Sequence, residues 1–176
     1  ALADAGKRVA LIDTDLRKTK VADYLGIEGA VGLTDVLIGR AKVTDVMLPW
    51  GRRPLYVLPA GKVPPNPSEL LGSSQMKALL DDVANTFDVV ICDAPPLLPV
   101  TDAAVLSRLT AGAIVITAAG RTTTHQLDGA LDALETVGAK IAGLVMTMAP
   151  TKGPDSYMYG YGYGYGYGYG YGYGYR

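Results

Sequence analysis

The stretch Val9-Ala10-Leu11-Ile12-Asp13-Thr14-Asp15-Leu16-Arg17 is a short apolar run that ends in acid. Four more short apolar runs follow it, at residues 55–58, 88–93, 113–117 and 141–146. Runs this short and this apolar predict strands that are buried on both faces of a parallel sheet. Stretches with helical spacing lie between them, at residues 68–84, 101–109 and 124–137. This alternation predicts an α/β fold with a doubly wound, mostly parallel sheet.

Composition limits what the chain can be. Its 176 residues fit one domain, residues 1–150, followed by a flexible tail, residues 151–176. A net charge of -1 provides no basic surface for nucleic acid, so no nucleic-acid partner is expected. The single cysteine excludes an intrachain disulfide and fits a reducing compartment.

The tail has an unusual sequence, in which Tyr alternates with Gly from Tyr159 to Tyr175. Ten of the twelve tyrosines lie in the last twenty residues. Glycine at every second position removes packing side chains and adds backbone freedom, so the tail is not expected to form core. A flexible series of phenol hydroxyls suits phosphoryl transfer, although by itself it fits an aggregating or structural segment equally well.

Acidic residues follow two of the predicted strands. Asp13 and Asp15 end the first run, and Asp93 ends the run Asp88-Val89-Val90-Ile91-Cys92-Asp93. Since ligands bind beyond the carboxyl ends of parallel strands, the three acids are expected on one rim. Carboxylates with phosphate oxygens and water suit Mg²⁺. A plain turn or helix-cap role for an Asp after a strand stays open.

Two further segments complete a pattern. Gly32-Leu33-Thr34-Asp35-Val36-Leu37-Ile38-Gly39 follows the first motif, and Ala60-Gly61-Lys62-Val63-Pro64-Pro65-Asn66-Pro67-Ser68-Glu69-Leu70-Leu71 precedes the second. With Asp13-x-Asp15-x-Arg17, Asp93-x-Pro95-Pro96 and the tyrosine tail, the chain resembles the bacterial tyrosine kinases of capsule and exopolysaccharide synthesis over essentially its whole length.

The resemblance implies an ATP- and Mg²⁺-dependent enzyme with a deviant P-loop fold that phosphorylates its own tail. It matches Asp13, Asp15 and Asp93 to the acids that hold the metal and activate the attacking hydroxyl, with Asp13 as the candidate base. Arg17 and Thr147 join Asp15 and Asp93 as candidate nucleotide contacts, although a salt bridge from Arg17 to a rim acid is equally expected. The implied acceptors are Tyr157, Tyr159, Tyr161, Tyr163, Tyr165, Tyr167, Tyr169, Tyr171, Tyr173 and Tyr175.

The resemblance also implies partners and a place in the cell. The expected partners are further copies of the chain in a ring, which phosphorylate one another. A membrane-anchored activator domain for polysaccharide chain length, fused or separate, is the second expected partner. The expected location is the cytoplasm, at the inner face of the plasma membrane.

One departure from the family pattern concerns the phosphate-binding loop. The sequence Gly-x-x-x-x-Gly-Lys-Ser/Thr is absent, and Ala1 to Gly6 reads as the end of a helix. We therefore expect an N-terminally truncated fragment that lacks the first strand, binds ATP poorly and is inactive alone. The rival interpretations are a non-kinase ATPase switch of the division-site or plasmid-partition type, and a non-enzymatic binding partner with an aggregation-prone tail.

Overall fold

The first apolar run forms strand β1 (Val9–Asp13) in the computed structural model of the protein, which describes residues 1–150. Four of its five residues are buried, because β1 has a neighbouring strand on each side. The remaining strands are β2 (Leu48–Trp50), β3 (Leu55–Leu58), β4 (Val89–Asp93), β5 (Ala113–Ala118) and β6 (Ile141–Thr147). The helices are α1 (Val21–Leu25), α2 (Leu33–Leu37), α3 (Val43–Val46), α4 (Pro67–Leu71), α5 (Ser74–Thr86), α6 (Asp102–Ser107) and α7 (Thr124–Thr136).

The strands form two sheets. The larger has the order β2-β3-β1-β4, in which β1 runs parallel to β3 and β4 while β2 is antiparallel to β3. The smaller is a parallel pair of β5 and β6. The predicted α/β class with a mostly parallel sheet is therefore confirmed. In the described part of the chain, one edge of β4 and one edge of β5 have no pairing strand.

The core lies where β1 and β3 meet the helices that follow them. Its members are buried aliphatic side chains from strands on one side and from α2, α4, α5 and α6 on the other. The largest fully buried ones are Ile12, Leu16, Leu33, Leu58, Leu71 and Met76. This packing fixes the carboxyl ends of β1 and β3 relative to the helices.

Burial of β4, β5 and β6 differs from the prediction. All three were expected to be buried on both faces, yet Ile91 in β4 is 41 % exposed, Ile116 in β5 is 68 % exposed and Leu144 in β6 is 53 % exposed. Each of these strands has a single strand neighbour in the described residues, so each lies at the edge of its sheet.

Three element boundaries also differ from the sequence-based expectation. The helix predicted over residues 68–84 is two helices, because the Ser73 hydroxyl accepts the Met76 N–H at 3.1 Å and starts α5 anew. Residues 2–6 form turns rather than the end of a regular helix, although Gly6 does adopt a positive φ of 83°. Residues 48–50, where no apolar run predicts a strand, form β2, which pairs with β3 at the edge of the sheet.

The segment after β3 crosses the start of α2 at very short range. The Leu33 N–H donates to the Pro59 carbonyl at 2.7 Å, and the Thr34 N–H donates to the Ala60 carbonyl at 2.9 Å. A Cβ on Gly32 would lie 2.0 Å from the Pro59 carbonyl oxygen. The glycine is therefore required by a close backbone approach, since its φ of -173° is available to any residue.

We expect Gly32→Ala to lower the free energy of unfolding by about 3 kcal/mol, because backbone atoms cannot yield as a side chain can. Gly143→Ala is the matched control, since a Cβ there meets nothing within 4 Å. Urea unfolding of both variants and the parent chain measures the difference. An unchanged midpoint for Gly32→Ala would show that the two segments do not cross as described.

Candidate active site

Two aspartates lie side by side at the carboxyl edge of the larger sheet. Asp13 ends β1, Asp93 ends β4, and the two are direct partners in the parallel register. Neighbouring strands lie about 4.8 Å apart, so the two residues are immediate neighbours across the sheet. Asp15 follows two residues after Asp13 and is close enough to affect the pKa of both other acids. The structure thus brings Asp13, Asp15 and Asp93 to one rim, as the sequence predicted.

Thr14 connects the ends of β1 and β4 by hydrogen bonds. Its backbone N–H and its hydroxyl both donate to the carbonyl oxygen of Asp93, at 2.8 and 2.6 Å. Thr14 is fully buried, so no water competes for these bonds. The backbone of Asp93 is therefore fixed relative to the turn that carries Asp13 and Asp15.

The Asp13 carboxylate forms its hydrogen bonds within the segment that connects β1 to α1. Its Oδ1 accepts the Asp15 N–H at 3.2 Å and its Oδ2 accepts the Val21 N–H at 3.3 Å, at the start of α1. The side chain is 0 % exposed. Burial raises the pKa of Asp13 to about 6, against the opposing effect of these two hydrogen bonds and with a smaller rise from Asp93 and Asp15. Asp13 thus serves as the turn and helix cap that the sequence left open, and its assignment as the base stays a prediction.

Asp15 and Asp93 have more accessible carboxylates. Asp15 is half-buried, and its Oδ1 accepts the backbone N–H groups of Arg17 and Lys18 at 3.1 and 3.0 Å. Asp93 is an exposed residue at the strand end. Partial burial of its carboxyl, followed by the charge of Asp15, raises the pKa of Asp93. Within residues 1–150, no donor forms a hydrogen bond to the Asp93 carboxylate.

The rim offers carboxylates of the kind that bind Mg²⁺. No group of three or more His, Cys, Asp or Glu side chains in residues 1–150 is placed to hold one ion. Both oxygens of Asp13 accept backbone N–H groups. Mg²⁺ is commonly bound by one or two carboxylates with phosphate oxygens and water, so the acids present fit it, and the assignment of Asp13, Asp15 and Asp93 as its ligands stays a prediction.

Arg17 contacts an acid that is not on the rim. Its Nε donates to Asp102 Oδ2 at 2.7 Å and its Nη2 donates to Asp102 Oδ1 at 3.0 Å. The Ser68 hydroxyl donates to the same carboxylate. The Arg17 guanidinium holds the pKa of Asp102 below its ordinary range. The expected salt bridge from Arg17 to Asp13, Asp15 or Asp93 is therefore not formed, because its guanidinium is bound to an acid at the start of α6.

The remaining predicted site residues lie elsewhere. Thr147 ends β6 in the smaller sheet, where its hydroxyl donates to the Thr117 carbonyl at 2.9 Å. The structure therefore does not unite Thr147 with the acids in one sheet. The ten tail tyrosines, Tyr157 to Tyr175, lie outside the described residues.

Comparison with known proteins decides the family. The chain is 38% identical over 157 residues, 89% of its length, to the tyrosine-protein kinase YwqD of Bacillus subtilis. It is 31% identical to the solved kinase domain of VpsO, with a TM-score of 0.80, covering 85% of this chain and 73% of that domain. The chain belongs to the bacterial tyrosine kinases.

The remaining comparisons concern the fold rather than the family. No family model matches the chain. The septum site-determining protein MinD of Pyrococcus horikoshii, solved with Mg-ADP, is 22% identical with a TM-score of 0.67 and covers 82% of this chain and 59% of that one, which shows the shared fold. The chain spans 66% of the length of YwqD and 20% of the kinase ptk of Acinetobacter johnsonii.

Three residues of this candidate site are missed by sequence reasoning. They are Thr14, which bonds to the Asp93 carbonyl, and Ser68 and Asp102, which bond to each other. Asp102 gives no distinct signal, because an Asp at a helix start predicts a simple cap. Ser68 lies within the Pro-rich segment that carries the family resemblance, but its place at the start of a helix predicts no functional contact.

The raised pKa of Asp13 predicts a pH dependence of stability. The folded chain holds this proton up to about pH 6, whereas the ordinary value is 3.8, so the protonated form favours folding. This contribution is complete below pH 3.8 and is lost as the pH rises to 6. The free energy of unfolding should fall by about 2–3 kcal/mol across that window. Asp93 acts in the same direction.

Asp13→Asn should remove most of this slope, and the matched control Asp128→Asn, on the exposed face of α7, should retain it. Denaturant unfolding at half-unit steps from pH 4 to 6 measures the three slopes. A parent chain whose stability stays level over this range would contradict the buried position of Asp13.

Proposed function

We propose that the protein is an ATP-dependent protein-tyrosine kinase that phosphorylates its own C-terminal tyrosines and so regulates capsular or exopolysaccharide synthesis and export. The observation that carries the proposal is the register that sets Asp13 beside Asp93, with Asp15 next to both. Membership of the bacterial tyrosine kinases supports the reaction type. The tyrosine-rich tail of the same chain supplies acceptors.

Asp15 and Asp93 are the residues we assign to Mg²⁺ and ATP. The metal, when bound, would neutralise charge on the transferring phosphoryl group. The chain's own contribution is position, because phosphoryl transfer requires little covalent chemistry from the protein. Thr14 holds the Asp93 backbone, and the amides of Arg17 and Lys18 orient the Asp15 carboxylate.

Asp13 is the proposed proton acceptor for the tyrosine hydroxyl. A carboxylate with a pKa of about 6 is basic enough to accept a proton as transfer proceeds and is still charged at neutral pH. Its burial means that a hydroxyl reaches it only when the loop between β1 and α1 moves. We therefore assign Asp13 two roles, capping this loop at rest and accepting the proton when it opens.

The proposed partners follow from the tail. A segment from Tyr157 to Tyr175 can span at most about 60 Å, which is enough to reach a second copy of the site. We propose transfer between copies in a ring and activation by a membrane-anchored domain at the inner face of the plasma membrane. No helix in residues 1–150 is long and apolar enough to cross a bilayer.

The direct test is incubation of the full-length kinase with ATP and Mg²⁺, followed by mass spectrometry of the tail. We expect phosphotyrosine among Tyr157 to Tyr175 and a loss of about 100-fold or more with Asp93→Asn, because one of two metal-binding carboxylates is removed. Asp128→Asn is the matched control and should retain full activity. ATP hydrolysis without any phosphotyrosine would contradict the proposal and support a nucleotide-dependent switch.

A further inference from the structure

We propose that Asp102 is a positioning residue for phosphoryl transfer: it clamps the Asp15 turn to the rim by holding the Arg17 guanidinium. The inference rests on the proposed kinase function. The term rim clamp is used below for Arg17, Asp102 and Ser68, which meet at one carboxylate.

The rim clamp joins three segments that leave the sheet at the same edge. Arg17 lies in the segment that follows β1, Ser68 lies in α4 after β3, and Asp102 begins α6 after β4. Arg17 and Asp102 are separated by 85 positions in the sequence. A single buried carboxylate therefore fixes the exits of all three parallel strands relative to one another.

The environment of Asp102 explains why the clamp is rigid. Its side chain is 0 % exposed, whereas that of Arg17 is 41 % exposed. A buried carboxylate without partners is costly, so Asp102 depends on the two guanidinium bonds and the Ser68 hydroxyl. The bidentate geometry fixes direction as well as distance, which a lysine could not reproduce.

The clamp acts on the rim through one short turn. The Arg17 side chain is held by Asp102, while the Arg17 N–H donates to Asp15 Oδ1 at 3.1 Å. The Lys18 N–H donates to the same oxygen at 3.0 Å. Releasing the guanidinium frees the turn whose amides orient the Asp15 carboxylate. Asp93 keeps its hydrogen bonds to Thr14, so we expect the Asp15 carboxylate to change its position relative to Asp93.

The experiment compares four forms of the full-length kinase. They are the parent protein, Asp102→Asn, the double variant Arg17→Met/Asp102→Leu, and the control Arg53→Met/Asp4→Leu. The first double variant replaces the ion pair with apolar side chains, a change that often preserves stability. The control removes an Arg–Asp pair of similar chemistry at the surface, where both side chains are more than 60 % exposed.

Amide hydrogen exchange is the first readout, and it does not depend on kinase activity. In both clamp variants the amides at positions 17 and 18 should exchange at least about 10-fold faster, while those of β1 keep their parent rates. The control should match the parent protein throughout. Unchanged exchange at Arg17 and Lys18 would overturn the clamp. Faster exchange throughout β1 in both clamp variants would overturn it as well, because it would indicate general unfolding.

Kinetics is the second readout. We expect kcat for tail phosphorylation to fall by about 10- to 100-fold in both clamp variants, with KM for ATP within about threefold of the parent value. Parent-like kcat in a variant whose turn exchanges faster would show that Asp102 has only a structural role. If the parent protein forms no phosphotyrosine at all, the proposed function fails, and the exchange data still decide whether the clamp exists.

Discussion

The register between β1 and β4 is the constraint on which the candidate site depends. It sets Asp13 opposite Asp93 and brings Thr14 within reach of the Asp93 carbonyl. A slip of one residue would turn every side chain of β1 to the other face, so the buried aliphatic residues of the strand fix the register. The energy of core packing thus determines where the acids lie.

Gathering acids at one edge has an electrostatic cost. Two cations near these acids, Arg17 and Lys20, form ion pairs with other carboxylates in the described residues. Arg17 is bound to Asp102 behind the rim, and Lys20 pairs with Asp23 at 2.8 Å. Backbone amides, rather than side-chain cations, donate hydrogen bonds to the carboxylates of Asp13 and Asp15. Burial is the main cause of the raised pKa values of Asp13 and Asp93, and the neighbouring acids add a smaller rise. Clustered like charges with perturbed pKa values are typical of a functional site, and here they suit a bound cation.

The sequence predicted those parts of the fold that follow from local pattern. The apolar runs identified five of the six strands, and the acids at strand ends identified the rim, because parallel strands place their carboxyl ends together. The pattern could not show β2, which is three residues long and contains Pro49, nor the exposure of β4, β5 and β6, which depends on what covers them. It also could not show Asp102. A contact across 85 residues leaves no local signal, and only the fold reveals that Arg17 is held away from the rim.

In the proposed function, Asp15 and Asp93, rather than Asp13, provide the carboxylate oxygens that bind the metal. A crystal structure of the full-length kinase with Mn²⁺ in place of Mg²⁺ and a non-hydrolysable ATP analogue tests this assignment most directly. We expect an anomalous peak at coordination distance, about 2.0–2.2 Å, from carboxylate oxygens of Asp15 and Asp93, with Asp13 still bonded to the amides of Asp15 and Val21. A peak bound by Asp13, or one away from the edge of β1 and β4, would contradict it.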